Sequence, residues 1–436
     1  MKYQDMEKAA LQAEQAALQE RYDAFVARGL KLNMARGKPS PEQLDLSAGL
    51  LSAIQPGGGR ASTDSTPGST WPADSAGDDV RNYGGLLGIP EARALMADVL
   101  GVPAANVMVG NNSSLTMMYD TVARSVALGV RGFTPWSKLE KVRFLCPAPG
   151  YDRHFAVSAA FGIDNIAVPM TPDGPDMATV EHYVNTDASV KGIWCVPKYS
   201  NPQGVTYSDE VVRRFAELHP AAGDFRIFWD NAYAVHDLDP AQPARLADLK
   251  SACEQAGNPD IWYMFASTSK ITFAGSGIAA LATSADNLAS ISQQIAFQTI
   301  GPDKVNQLRH VAFLQDQDGV RQQMRQHASI LAPKFAVVQE TLQRELAGTG
   351  TGTWTQPRGG YFISFEGLPN TARRTVALAK AAGVVLTGAG ATWPYGEDPA
   401  DSNIRIAPSY PSVEELALAS ELLSVCVRLA AIEVLL

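Results

Sequence analysis

The sequence predicts an α/β protein. A large domain built on a mainly parallel, seven-stranded sheet is joined by a smaller α+β domain assembled from both chain ends. Three observations carry this expectation. Seven short, β-branched apolar runs recur between residues 107 and 283, most of them separated by segments long enough for a crossover helix. After residue 299 the pattern turns helical over a long stretch and then yields three more short strands. The chain has 436 residues, 46% hydrophobic and 19% charged, enough apolar material for more than one core. The division that follows is 51–309 for the large domain, and 1–50 with 310–436 for the small one.

Near the N-terminus, Leu11, Leu18 and Phe25 stand at heptad spacing with Tyr22 and Val26 beside them, a stripe long enough for one packed helix and too short for a coiled coil. Residues 55–79 are rich in Gly, Ser, Thr, Pro and Asp around a lone Trp71 and read as a long loop. The seven strand runs are 107–109, 142–146, 166–170, 193–196, 227–229, 261–266 and 278–283. A typical crossover helix lies at 208–219, with Val211, Val212, Phe215 and Leu218 on one face. The gap between 266 and 278 is too short for a helix, so the last two runs should pair as antiparallel neighbours. Beyond residue 299, Leu308, Val311, Phe313, Leu314, Leu331, Phe335, Val338 and Leu342 mark helices, followed by strands at 361–365, 384–386 and 404–406. The Gly/Thr tract 348–352 lacks the strand–turn–helix setting of a phosphate loop and reads as a plain loop. The apolar tail 416–436 is interrupted by Glu421, Arg428 and Glu433, which favours a packed amphipathic helix over a membrane span.

Composition narrows the function. A net charge of −9 argues against a phosphate backbone as main partner and suits small-molecule work. Four dispersed cysteines without a CxxC pair fit neither a disulfide framework nor a zinc site and read as buried thiols. No metal site is expected, because the six histidines show no HExxH or paired spacing. The N-terminus is of mixed charge and lacks the apolar core of a signal peptide, so a cytoplasmic protein without nucleic-acid or membrane partners is expected.

In an open α/β sheet, ligands gather beyond the carboxyl ends of the strands, so the residues following the runs carry the chemistry. They are Gly110-Asn111-Asn112-Ser113-Ser114 before a helix, then Pro149-Gly150-Tyr151, then Pro197-Lys198-Tyr199-Ser200-Asn201-Pro202, then Asp230 with Tyr233, then Ser267-Thr268-Ser269-Lys270. Hydroxyls and free N–H groups at a helix start make an anion cradle, although Ser113 alone would be an ordinary helix cap. Tyr151 alone would be packing, Asn201-Pro202 a turn, and Lys270 a solvated lysine. Asp230, at the end of an apolar strand, needs a cation or donor to offset its burial.

The order of these pieces, with 29 residues from Asn201 to Asp230 and 40 from Asp230 to Lys270, resembles the fold-type I aminotransferases, which use pyridoxal 5′-phosphate. The resemblance extends to Tyr83-Gly84-Gly85-Leu86-Leu87-Gly88, Arg358-Gly359-Gly360-Tyr361-Phe362 and Asn403-Ile404-Arg405-Ile406-Ala407, and so covers most of the chain. Ala35-Arg36-Gly37-Lys38-Pro39-Ser40, Thr268-Ser269-Lys270-Ile271-Thr272-Phe273 and Gly301-Pro302-Asp303-Lys304 resemble the aspartate aminotransferase subgroup Ic, also described as a MocR-type aminotransferase group.

The resemblance implies the PLP-transferase fold type I and assigns roles. Lys270 would carry the cofactor covalently and, once released, move the substrate's proton. Asp230 would pair with the ring nitrogen, Tyr233 and Asn201 would hydrogen-bond the phenolic oxygen, and Tyr151 would stack on the ring. Ser113, Ser114, Ser267 and Ser269 are the phosphate candidates, and Tyr83 would reach the phosphate in the neighbouring subunit of a homodimer with shared sites. Arg405 would grip the substrate α-carboxylate, with Asn201 and Gly37 beside it. One departure stands out: the family's phosphate arginine, seven or eight residues after the lysine, is replaced by Gly277 and Ile278, with Ser276 a substitute donor. The distal end of a dicarboxylate would need a further cation, among Arg36, Lys38, Lys304, Arg309 and Arg321. The implied activity is amino-group transfer between an amino acid, aspartate first, and a 2-oxo acid, 2-oxoglutarate first. The alternatives are an aromatic or kynurenine-type aminotransferase, a β-lyase, or a non-catalytic cofactor-binding effector domain. The last is disfavoured by the acidic balance and by the roughly forty mixed-charge residues that precede the resembling segment.

Overall fold

The computed structural model describes residues 1–54 and 73–436, so Trp71 and most of the expected loop 55–79 lie outside the described residues. In chain order the strands are β1 Leu32–Asn33, β2 Val107–Gly110, β3 Arg143–Ala148, β4 Asp164–Thr171, β5 Gly174–Pro175, β6 Val190–Cys195 and β7 Arg226–Asp230. Then follow β8 Trp262–Ser267, β9 Ala279–Thr283, β10 Gly352–Trp354, β11 Ile363–Gly367, β12 Val384–Val385 and β13 Asn403–Ile406.

The large sheet has the order β2-β9-β8-β7-β6-β3-β4-β5. The neighbours from β8 through β7, β6 and β3 to β4 are parallel, while β9 runs antiparallel to both β8 and β2. All seven expected runs are strands of this sheet, and the expected antiparallel pair is β8 with β9. Among the described residues the sheet has eight strands, not seven: β5 adds two residues, Gly174 and Pro175, folded back on β4. A glycine–proline pair carries no apolar run, so composition gave it no signal.

Side chains alternate across the sheet. Ile193, Cys195, Ile227, Trp229, Trp262 and Met264 belong to one buried cluster, whereas Phe144, Cys146, Trp194, Phe228, Tyr263 and Phe265 belong to the cluster on the opposite face. Burial on both faces explains why the runs were continuous in the sequence. The expected crossover helix is Asp209–Ala216, capped by Ser208 and buried through Val211, Val212 and Phe215.

A separate cluster joins the two chain ends. Leu11, Leu18, Tyr22 and Phe25 of the helix Lys8–Ala27 pack with Phe335, Val338 and Leu342 and with the helix Val413–Leu435, beside a sheet of order β10-β11-β13. Val26 does not join its neighbours and is 44% exposed, because its position falls off the heptad stripe. The tract 348–352 is a loop only up to Gly352, where β10 begins and pairs with β11. Among the described residues no helix is long and apolar enough to cross a membrane, and all four cysteines are free and buried.

Candidate active site

The parallel arrangement sends the ends of β2, β3, β6, β7 and β8 to one edge, where a cleft of about 530 Å³ opens. Ser113, Ser114, Tyr151, Asn201, Asp230, Tyr233, Ser267, Ser269 and Lys270 all line it from the sheet side. Gly37, Phe362, Thr387 and Arg405 line it from the elements around the small sheet. Every residue to which the resemblance assigned a role, except Tyr83, is thereby brought into one cavity; Ser276 and some of the distal-cation candidates are not.

Asp230 ends β7 and is 2% exposed. Its Oδ2 lies 3.0 Å from His154 Nε2, and the His154 ring stacks on Trp194 with centroids 4.7 Å apart. Its Oδ1 is buried and has no hydrogen-bond partner among the described residues. An orphaned carboxylate oxygen is costly, and the residue that carries it lines the cleft. Lys270 follows β8 at the cleft floor, with Nζ 5.0 Å from the Tyr233 ring centroid and 6.0 Å from that of Tyr361. Desolvation pushes its pKa below the ordinary lysine value, partly opposed by the Asp230 charge. Burial holds the Tyr233 hydroxyl well above its ordinary pKa, reinforced by Tyr151 and Asp230, and pushes Tyr151 up to about 12. Both phenols therefore stay protonated donors at neutral pH.

The hydroxyl cradle is partly self-satisfied. Ser113 caps the helix Ser114–Leu128, its Oγ accepting from Thr116 N at 3.3 Å. Ser267 Oγ donates to Ser269 Oγ at 3.1 Å, and Ser269 Oγ to the Asn112 carbonyl at 3.4 Å. The packing is also tight at Gly277, one of the two positions where the family places its phosphate arginine. A Cβ at Gly277 would lie 3.1 Å from Asn112 O, 3.1 Å from Thr268 Oγ1 and 3.2 Å from Ser269 N, so the loop closes where a side chain would begin. Ser276 is not among the residues that line the cleft.

Arg405 projects from β13 and is 7% exposed. Its Nη1 donates to Asp152 Oδ1 at 2.9 Å and to Asn201 Oδ1 at 3.2 Å, and its Nε to Thr387 Oγ1 at 3.3 Å. The guanidinium carbon lies 4.8 Å from the Phe362 ring centroid. That ring requires Gly37, whose Cβ would meet Phe362 Cζ at 2.5 Å. Gly37 thus shapes the wall beside Arg405 through its lack of a side chain.

Tyr83 is 80% exposed and does not line the cleft of its own chain. Of the distal-cation candidates, Arg36 and Lys38 line the cleft. Lys304, Arg309 and Arg321 do not: Lys304 Nζ donates to the Tyr83 carbonyl at 3.3 Å and Arg321 pairs with Asp318 at 3.1 Å. Asp152, Arg153 and Thr387 escaped the sequence reading, and Phe362 appeared in it only as part of a motif, without a role. For Asp152 and Arg153 a signal existed, since they follow Tyr151 at the same sheet edge, and for Thr387 too, since it directly follows the expected strand 384–386, which the structure shows as β12.

The family model described as aspartate amino-transferase matches residues 6–436. An aspartate aminotransferase of Corynebacterium glutamicum is 46% identical, the match spanning 95% of this chain and 93% of the relative. The crystal structure of an aspartate transaminase from the same species superposes with a TM-score of 0.94 at 44% identity, covering all of both chains. An α-aminoadipate aminotransferase of Thermus thermophilus, complexed with N-(5′-phosphopyridoxyl)-L-leucine, shares the fold at 19% identity and a TM-score of 0.69, over 94% of this chain and 95% of that one. Since the family match embraces both the large sheet and the cluster of the chain ends, this chain belongs to the aspartate aminotransferase family and is an aminotransferase of PLP fold type I.

Proposed function

We propose that this aminotransferase binds pyridoxal 5′-phosphate at Lys270 and exchanges amino groups between aspartate and 2-oxoglutarate. The observation that carries the cofactor is the buried, unpartnered Asp230 Oδ1 in a cleft that also holds a lysine, two protonated phenols and four serine hydroxyls. A heteroaromatic phosphate with a ring N–H suits that set: the carboxylate accepts from the nitrogen, and the hydroxyls and helix start receive the phosphate. Bound there, the cofactor supplies a sink for the electron pair left when the substrate's Cα–H bond breaks.

The remaining roles belong to the chain's own residues. His154 holds Asp230 through Oδ2 and leaves Oδ1 without a partner among the described residues. Lys270 titrates below an ordinary lysine, which makes its neutral amine available to take and return the Cα proton. Tyr233 and Asn201 would supply donors to the cofactor's phenolic oxygen, and Tyr151 would stack on its ring. Arg405 grips the α-carboxylate and thereby fixes the Cα–H bond relative to Lys270. Aspartate is supported by the activity named for the Corynebacterium glutamicum relative and by three cleft-lining cations, Arg36, Lys38 and Arg153, available to a second carboxylate.

The proposal includes a cytoplasmic homodimer with Tyr83 completing the partner's phosphate site. Its support is the exposure of large apolar side chains, Tyr83 at 80%, Phe297 at 85% and Leu51 at 70%. It also retains the division into 51–309 and 1–50 with 310–436, in keeping with separate buried clusters around the large sheet and around the joined chain ends. The test is a panel of amino acids added to the purified yellow protein. Aspartate should convert the bound cofactor to its amine form, with the loss of the yellow band, and borohydride should lock the cofactor onto Lys270. Conversion only by aromatic amino acids or kynurenine would replace the substrate, and no conversion by any amino acid would overturn the enzymatic reading.

A further inference from the structure

The guanidinium that should receive substrate is already engaged. Nη1 of Arg405 has two protons, directed at Asp152 Oδ1 and Asn201 Oδ1, and Nε has one, directed at Thr387 Oγ1. Only Nη2 lacks a partner among the described residues. A two-point grip takes one N–H from each of two guanidinium nitrogens. Nη2 supplies one; the other must come from Nη1 or Nε, so an arriving carboxylate displaces an acceptor that is already there.

Asp152 is the acceptor whose presence costs most, being an anion of the same chemical type as the substrate group. If a carboxylate took Nε and Nη2 instead, displacing Thr387, two anions would share one cation and repel each other in a partly desolvated cleft. The two partners also differ in freedom. The Arg405 side chain is 7% exposed, whereas that of Asp152 is 33% exposed and opens the helix Asp152–Ala160. Arg405 stays, and Asp152 has room to swing toward solvent.

We propose that Asp152 is a resident stand-in for the substrate's α-carboxylate. It neutralises Arg405 while the cleft holds no substrate and competes for the guanidinium when substrate arrives. The inference rests on the reading of Arg405 as the carboxylate clamp. Propionate, an unreactive monocarboxylate, isolates that subsite from whichever amino acid reacts. Its Kd for the loaded enzyme should be measured by calorimetry in the wild type and in Asp152→Asn, Asp152→Ser and Arg405→Lys, together with the KM for aspartate. Removing the Asp152 charge should lower the propionate Kd about three- to tenfold, the range expected for a partly exposed charge-assisted contact, and the KM should fall in parallel. A rise in Kd in both Asp152 variants would make Asp152 a positioning residue and overturn the proposal, as would an unchanged Kd. Propionate binding that survives Arg405→Lys undiminished would overturn the clamp reading itself, and this inference with it.

Discussion

Replacing His154 by phenylalanine tests whether Asp230 is held as a buried, single-partnered carboxylate. Phenylalanine keeps a flat ring to stack on Trp194, where the His154 and Trp194 planes now lie 15° apart, so the change removes chiefly the 3.0 Å bond to Asp230 Oδ2. Oδ1 already lacks a partner, so the variant leaves a carboxylate that is 2% exposed with neither oxygen bonded to a described residue. Stripping the partner from a buried charged acceptor costs about 3 kcal/mol. A chain of 436 residues has an unfolding entropy of roughly 0.9 kcal/mol/K, which turns this loss into a fall in Tm of about 3 °C. The assay is thermal unfolding of cofactor-free protein, run also in an Asp230→Asn background. There the charge is gone and the penalty for losing His154 should shrink by more than half. A Tm change below about 1 °C, or an equal loss in both backgrounds, would refute the claim that His154 stabilises the Asp230 carboxylate.

The other predictions follow from the same geometry. Burial lowers the pKa of Lys270 and the Asp230 charge raises it, so Asp230→Asn should shift the pH profile of amine modification in cofactor-free protein toward lower pH; a shift upward would contradict that balance. Gly277→Arg, which restores the family's usual cation, should weaken cofactor binding, because its Cβ would crowd Asn112 and Ser269; tighter binding by equilibrium dialysis would show that the loop accommodates it. Neutralising Arg36, Lys38 and Arg153 one at a time should reveal one variant whose KM for aspartate rises roughly tenfold or more with propionate affinity unchanged, as expected for a lost charged pair; three indifferent variants would place the distal cation elsewhere. Mixing Tyr83→Phe with Lys270→Ala subunits should regenerate some intact sites, and strictly monomeric sedimentation would exclude the shared-site arrangement.

The sequence legibly encoded the edge of the sheet and much less of what lies behind it. Ile227–Trp229 could be read as a buried strand because both faces are covered, and the strand-end rule then placed Asp230, Asn201, Tyr151 and Lys270 together without any knowledge of distance. The pairing of β8 with β9 followed from the gap between their runs, too short for a helix. The strands β1, β5 and β10, of two or three residues, are held by their neighbours' hydrogen bonds and have no run of apolar residues to announce them, whereas the equally short β12 lies within the apolar run 384–386. His154 could be placed near the site, but its bond to Asp230 depends on the helix Asp152–Ala160 turning its first residues inward. Asp152 was missed for a related reason: an acid at a helix start has an ordinary explanation in the helix dipole, and only the arrival of Arg405 from a strand 253 residues later gives it another.

Charge completes the argument. In a chain of net charge −9, attraction for an anionic cofactor and dicarboxylate substrates must be created locally. Yet the two cations that the sequence placed in the cleft each face a carboxylate: Arg405 pairs with Asp152, and Lys270 feels Asp230. What draws an anion inward is therefore not those two residues acting as bare charges. Arg36, Lys38 and Arg153 line the cleft and form no ion pair with a described carboxylate; Lys38 instead lies 3.8 Å from the Tyr410 ring centroid. The division of labour follows from burial. Cations near the surface can remain unpaired at little cost and supply attraction, whereas a cation as buried as Arg405 needs a partner at all times and so must exchange one carboxylate for another.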